Sequence, residues 1–260
     1  VNHLTEDSVG RVARRKFLQL GIGLINMNPL PFDAVRGTKA LAYSFHEAMP
    51  LAPAKSLLDH VLLGVAELED GIAWVEKQTG VKAAQGGSHP GAGTHNALLS
   101  LGNRQYLEII APDPKQKSTS GLVSLLKKFL IPQPFSWAAS TPDIELLANK
   151  LRGAGLTIDG PQPGSRMRPD GRRLQWKTIR LSGQPYGLVP FFIEWTSDTI
   201  HPSVDSPLGC QLAGLELHDP EPDVTSQLMR KLGIEVEIQK GTEPGLKVQL
   251  DCPEGSVVLG

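Results

Sequence analysis

Glu108 and Glu194 each stand inside a short apolar, strand-like run, Tyr106-Leu-Glu-Ile-Ile and Phe191-Phe-Ile-Glu-Trp. Burying a lone carboxylate is costly, so each needs a cation, a histidine or a metal ion beside it. A partner lies upstream, where Leu57-Leu-Asp-His-Val-Leu-Leu-Gly-Val reads as a buried strand carrying His60. With side chains alternating along a strand, Leu58, His60 and Leu62 share one face, Tyr106, Glu108 and Ile110 another, and Phe192 stands with Glu194. One imidazole and two carboxylates could then converge. The alternative for His60 is a core histidine bonded to a single glutamate.

Two further segments carry polar groups at chemically useful spacing. Gly86 to Asn96 is glycine-rich but lacks the G-x-x-x-x-G-K-[ST] order of a nucleotide cradle. Its glycines allow a tight loop bearing His89, Thr94, His95 and Asn96, which could line a site or satisfy their own backbone. Ser165 to Arg173 holds Arg166, Arg168, Arg172 and Arg173 around the turn Pro169-Asp-Gly, with Trp176 following. Guanidinium groups there could clamp an anion, though such loops are more often solvated. His201-Pro follows the Glu194 run and could fold back over it. His218, before Asp219-Pro-Glu-Pro, reads as a loop residue. No serine or cysteine nucleophile arrangement stands out, which disfavours covalent catalysis.

The elements that must position these residues form a repeat. Three segments share the order strand, amphipathic helix, helix-stopping glycine, strands. The first runs from Leu57 through a helix over about Leu68 to Gln78. The second starts near Phe135, with Thr141 as N-cap, Pro142 at the first helical position and Ile144, Leu147, Ala148 and Leu151 as the apolar face. The third starts near Leu212, with Val224, Leu228 and Leu232 as its face. The stopping glycines 80, 155 and 233 are spaced by 75 and 78 residues. Alternating runs follow each helix, giving a β-α-β-β-β grammar for an α+β fold.

Composition bounds the function class. The chain has 260 residues, 40% of them hydrophobic, enough to fill a core. Its 26 basic and 27 acidic residues leave a net charge of -1 and no electrostatic footprint for nucleic acid or an anionic membrane. No run approaches the roughly 20 apolar residues of a membrane span. Cys210 and Cys252 are too few for a disulfide scaffold and lack a C-x-x-C spacing. They are expected to pack, or to pair in an oxidising compartment. Arg14-Arg-Lys-Phe-Leu, a short apolar stretch and Ala40-Leu-Ala resemble a twin-arginine export signal. That signal would send the protein to a periplasm or thylakoid lumen; without it a cytoplasmic location is expected.

A β-α-β-β-β repeat with histidine in its first strand and glutamate in its fourth resembles the vicinal oxygen chelate superfamily, which includes glyoxalase I and the extradiol dioxygenases. Leu58-Asp-His-Val, Gly86-Gly-Ser-His-Pro-Gly-Ala-Gly-Thr-His-Asn, Tyr106-Leu-Glu-Ile-Ile and Pro190-Phe-Phe-Ile-Glu-Trp resemble its glyoxalase-like domain branch. The resemblance covers about residues 57 to 260. It implies paired modules closing a cup-shaped antiparallel sheet around a divalent metal, iron, manganese or zinc, held by His60, Glu108 and Glu194. A fourth ligand would fall within Pro134 to Trp137, where nothing binds metal well.

By the same resemblance Glu108 and Glu194 are the catalytic candidates and His89, Thr94 and Asn96 substrate-binding ones; Arg168, from the arginine-rich loop, and Trp176, in the strand after it, join the substrate-binding set. The expected organisation is an extension over 1–55, paired modules over 56–200 and a partial third module over 201–260. The leading expectation is a metal-dependent isomerase, lyase or dioxygenase acting on a small oxygen-rich substrate. A metal-free binding protein on the same cup is the alternative, and a homodimer is compatible with either.

Overall fold

From Leu58 to Gly64 apolar side chains point both ways, a pattern stable only in a strand covered on both faces. All seven residues are buried, and they form the central strand of the larger sheet. The structure is a computed structural model that describes residues 49–118, 120–184 and 187–260. The twin-arginine-like segment and Ala40-Leu-Ala lie outside the described residues.

In chain order, β1 (Ala52–Pro53) and a single-turn α1 (Ala54–Leu57) lead into β2 (Leu58–Gly64). The first module continues with α2 (Leu68–Thr79), β3 (Ala84–His89), β4 (Thr94–Ser100) and β5 (Tyr106–Pro112). A short α3 (Gly121–Leu126) connects to the second module, β6 (Gln133–Ser140), α4 (Ile144–Gly153), β7 (Ile158–Met167), β8 (Arg173–Leu181) and β9 (Phe191–Trp195). After α5 (Pro202–Asp205), the third consists of β10 (Gln211–Asp219), α6 (Pro222–Lys231), β11 (Ile234–Glu235), β12 (Ile238–Lys240), β13 (Gly245–Cys252) and β14 (Gly255–Leu259).

The first two modules share one curled, mixed eight-stranded sheet of order β3-β4-β5-β2-β6-β9-β8-β7. Each contributes its strands in the same internal order, and the modules join where β2 pairs antiparallel with β6. The third forms its own sheet, β12-β10-β13-β14, while β11 pairs with β1. α2 and α4 cover the outer face of the large sheet, whereas α3 packs on the inner face. Trp137, Leu151, Ile179, Phe192, Leu217, Met229 and Val248 belong to one core there, so the third module is packed into the core of the other two. A smaller cluster of Leu62, Leu126, Phe135, Phe191 and Ile193 lies on the inner face.

The repeat is visible in the backbone. Gly80, Gly155 and Gly233 all take left-handed φ, at 72°, 77° and 74°, where side chains other than glycine are strained. Three details differ from the sequence expectation. The N-cap of α4 is Asp143, whose side chain accepts from the amide of Leu146, rather than Thr141; proline disfavours helical geometry in the residue before it, and the helix starts two residues later. Val224 is 61% exposed, and the buried face of α6 carries Met229 instead. His218 lies in β10, not in a loop.

Cys210 and Cys252 form a disulfide, with Cα atoms 4.2 Å apart, that ties the start of β10 to the end of β13. Closing a loop of sequence separation 42 restricts the unfolded chain by about 4 kcal/mol on the chain-entropy scale. Reduction, or Cys210→Ser with Cys252→Ser, is therefore expected to lower the melting temperature by on the order of 10 °C. Thermal unfolding with and without reductant checks this, and an unchanged Tm would assign the pair no stabilising role.

Candidate functional site

The register of β2 against β6 slips at Asp59: Leu58 faces Ala139 and His60 faces Ala138, so Asp59 is the extra residue of a bulge. A bulge re-aims side chains that strict alternation would send to opposite faces. Here it lets Asp59 Oδ1 accept a hydrogen bond from Nδ1 of its own neighbour His60 at 2.7 Å. Asp59 Oδ2 accepts from His201 Nε2 and Trp195 Nε1, each at 3.1 Å. Ser203 fixes the orientation of His201 by donating its amide to Nδ1 at 3.3 Å. Burial would raise the Asp59 carboxyl, but the bonds from His201 and His60 outweigh it and bring it down to about 2.

With Nδ1 committed to Asp59, His60 turns Nε2 toward Glu108 Oε2 at 3.4 Å. The pair meets because β2 and β5 run parallel in register, placing His60 beside Tyr106 and Leu62 beside Glu108 on one face. The Tyr106 ring stacks on the imidazole with centroids 4.5 Å apart. Glu108 Oε1 accepts from Asn96 Nδ2 at 2.7 Å and lies 3.6 Å from His89 Nε2. His89 also meets Thr94 Oγ1 through Nδ1 at 2.9 Å. Burial pushes the Glu108 carboxyl up, yet the neighbouring imidazoles, the Asn96 amide and Arg166 hold it below its ordinary value. For His89 burial prevails and lowers it, favouring the neutral ring. The array from His201 through Asp59 and His60 to Glu108 is continuous and buried.

Its His60–Glu108 end forms the floor of a cavity of about 190 Å³ inside the curled sheet. Thr94, Asn96, His89 and Trp176 line it, whereas Arg168 does not. Arg168 pairs with Asp205 at 2.7 Å; β7 ends at Met167, so Arg168 already belongs to the turn, and Arg166, still within the strand, is the arginine of the pair that borders the cavity. The walls are Trp176, Phe191, Ile193 and Trp195, with Arg180 above Phe191, its Cζ 4.2 Å from the ring centroid.

Glu194 is not part of this cluster. Phe191, Ile193 and Trp195 line the cavity, so Glu194 faces outward with Phe192 toward α4, where Oε2 accepts from the amide of Ile144 at 2.7 Å. It thus satisfies an otherwise unpaired donor at the positive end of the helix. Both faces of β9 are covered, so hydrophobicity does not mark which one is inner. The expected ligand set His60, Glu108 and Glu194 is therefore not assembled. Where the second module faces His60 across the cup it offers Ala138, Phe191 and Ile193, none of them donors. Among the described residues no group of three histidine, cysteine or acidic side chains has the geometry to hold a metal ion. These residues do not fit a divalent cation.

The curled sheet closes where its edge strands approach. Arg166 Nη1 donates to the carbonyl of Gly86, across from β7 to β3. A Cβ on Gly87, at φ 135°, would overlap the Met167 carbonyl, and one on Gly86 would overlap Asn96 Oδ1. Gly86→Ala is accordingly expected to push Asn96 off Glu108. Ligand binding to the cup should fall while stability drops by about 1–3 kcal/mol through overpacking. Titration followed by tryptophan fluorescence checks this, and undiminished affinity would show that Asn96 does not set the site.

Sequence reasoning missed Asp59, whose adjacency to His60 was a usable signal. It expected His201 to fold back toward the site without naming its partner, and it listed Arg166 among the loop arginines but singled out Arg168.

Comparison with known proteins follows this geometry. A family model described as glyoxalase-like domain matches residues 58–233. No curated protein matches the sequence. A hypothetical protein from Staphylococcus aureus is similar in structure, with TM-score 0.56 and 16% identity, covering 72% of this chain and 87% of that one. Methylmalonyl-CoA epimerase from Mycobacterium tuberculosis aligns with TM-score 0.40 and 21% identity over 56% of this chain and 91% of its own. A single-residue variant of Streptomyces coelicolor methylmalonyl-CoA epimerase, in complex with 2-nitronate-propionyl-CoA, aligns with TM-score 0.39 and 15% identity over 52% of this chain and 94% of its own. Among the described residues no helix is long and apolar enough to cross a membrane.

Proposed function

The chain belongs to the glyoxalase-like domain family, and from that premise we propose that its cup binds a small carbonyl compound and moves a proton to and from the carbon beside the carbonyl. The observation that carries this reading is His60 Nε2 facing Glu108 Oε2 at 3.4 Å on the cavity floor.

Asp59 keeps the His60 proton on Nδ1 and leaves the Nε2 lone pair toward the cup. A proton removed from the ligand by His60 or Glu108 is shared with the other and can return to either side of the carbon. The excess negative charge on the ligand oxygen is met by Asn96 or by the neutral His89. The aromatic walls exclude water and strengthen these interactions. In this reading the step falls on the acid–base pair.

A binding protein without chemistry is the second reading. It is favoured by the hydrogen bond that Glu108 Oε1 already accepts from Asn96.

The test is deuterium incorporation from solvent, followed by proton NMR, into hydroxyacetone, dihydroxyacetone and pyruvate with a chelator present. Exchange that survives the chelator and collapses in His60→Gln and Glu108→Gln supports proton transfer. Exchange that needs an added divalent ion, or equal rates in wild type and variants, overturns it. No exchange with any compound leaves the binding reading standing.

A further inference from the structure

Five arginines lie on the β7–β8 hairpin; Arg166 and Arg180 border the cup, Arg180 with its guanidinium over the Phe191 ring, and the other three lie outside it. Arg168 and Arg172 pair with Asp170 and Asp205 in a network at the hairpin tip, and Arg173 is exposed. Arg166 differs from all of them. It is 3% exposed, borders the cavity, and has no carboxylate within 4 Å among the described residues. Its bonded protein partner is one neutral carbonyl, that of Gly86. A guanidinium carries five donors, and apart from the Nη1 bond to Gly86 those of Arg166 have no protein hydrogen-bond partner among the described residues and are not sealed from the cup. Glu108 shares the cavity and its charge favours the charged guanidinium, but it lies beyond ion-pair distance and leaves the Arg166 fork open.

We propose that Arg166 is an anion subsite of the cup and that the ligand is a small organic carboxylate, its carboxylate on the Arg166 fork and its body between Trp176, Phe191, Ile193 and Trp195. This deepens the reading of the cup as a carbonyl site, on which it rests, by naming the charged group that orients the ligand. A planar fork matches a carboxylate with two parallel bonds, and a cavity of about 190 Å³ suits a small acid. The mixed lining separates the two tasks: the guanidinium selects charge, and the apolar walls hold the hydrocarbon.

Because Trp176 and Trp195 line the cavity, their fluorescence reports binding. Acetate, pyruvate and benzoate would be titrated beside acetamide, pyruvamide and benzamide, with inorganic phosphate as a further arm. At least one carboxylate is expected to bind about tenfold or more tightly than its amide. That preference should vanish in Arg166→Met and persist in part in Arg166→Lys. The amides control for the loss of the Gly86 bond, since a loosened seam weakens both members of a pair whereas a lost charge weakens only the acid. Equal affinity of acid and amide in the wild type overturns the subsite but leaves the cup and its proton chemistry to the exchange assay. A preference that survives in Arg166→Met, phosphate binding tighter than every carboxylate, or no binding of any probe overturns it as well. Failure of exchange alongside a charge preference abolished by Arg166→Met would instead retain the subsite and remove the reaction.

Discussion

Asp59→Ala is expected to destabilise the protein by about 3–5 kcal/mol and to abolish the chemistry of the cup together. Asp59 is 2% exposed and bonded by His60, His201 and Trp195, so its removal strands two buried imidazoles and an indole N–H. Asp59→Asn separates the two effects. It keeps the shape but replaces one acceptor oxygen with a donor, so the His60 tautomer is no longer enforced. Solvent exchange into a ligand should fall on the order of 10²–10⁴-fold with a smaller loss of stability.

Acid unfolding provides an independent check. The folded carboxyl is depressed from 3.8 to about 2, so its stabilisation is full above the unfolded value and disappears as pH falls from about 4 toward 2. The depression corresponds to about 2 kcal/mol. Denaturant midpoints at pH 5 and pH 2.5 should therefore show the gap between wild type and Asp59→Asn shrinking at the lower pH. A gap independent of pH would mean that the aspartate is not held ionised by its histidines.

Glu108→Gln should produce the opposite pattern, a large functional loss with little structural cost. The glutamine carbonyl can still accept from Asn96, and its amide can donate to the lone pair on His60 Nε2, so the hydrogen bonds of the floor survive. The proton-sharing carboxylate does not. Exchange should drop on the order of 10²–10⁴-fold while Tm stays within the equivalent of about 1 kcal/mol. Comparable exchange in the variant would remove Glu108 from the reaction, and unchanged ligand affinity with no exchange in either protein would leave a binding cup.

Much of the architecture was legible because it rests on local signals. The helix-stopping glycines 80, 155 and 233 announced the repeat, and the β2 and β5 runs placed His60 and Glu108 on strands whose inner faces coincide. The errors came where local signals are degenerate. In β9 apolar residues cover both faces, so alternation grouped Glu194 with Phe192 but could not say that both face α4. In the β7–β8 hairpin the choice between Arg166 and Arg168 depends on where the strand ends and the turn begins, a boundary of one or two residues. Cys210 and Cys252 were compatible with packing or pairing, and the approach of β13 to the start of β10 decided for pairing.

The sequence by itself determined the repeated modules, the strand histidine and glutamate that meet on the first of them, and a nearly balanced net charge. These follow from periodicity, glycine conformation and composition, which act within a strand or a helix. The tertiary structure alone decided that a bulge turns Asp59 onto His60, that His201 returns from beyond β9 to hold that aspartate, and that Arg166 rather than Arg168 enters the cup. It also withheld Glu194 from the site. Each depends on register, curl or a distant segment, and a one-residue shift in any of them reverses which face a side chain occupies.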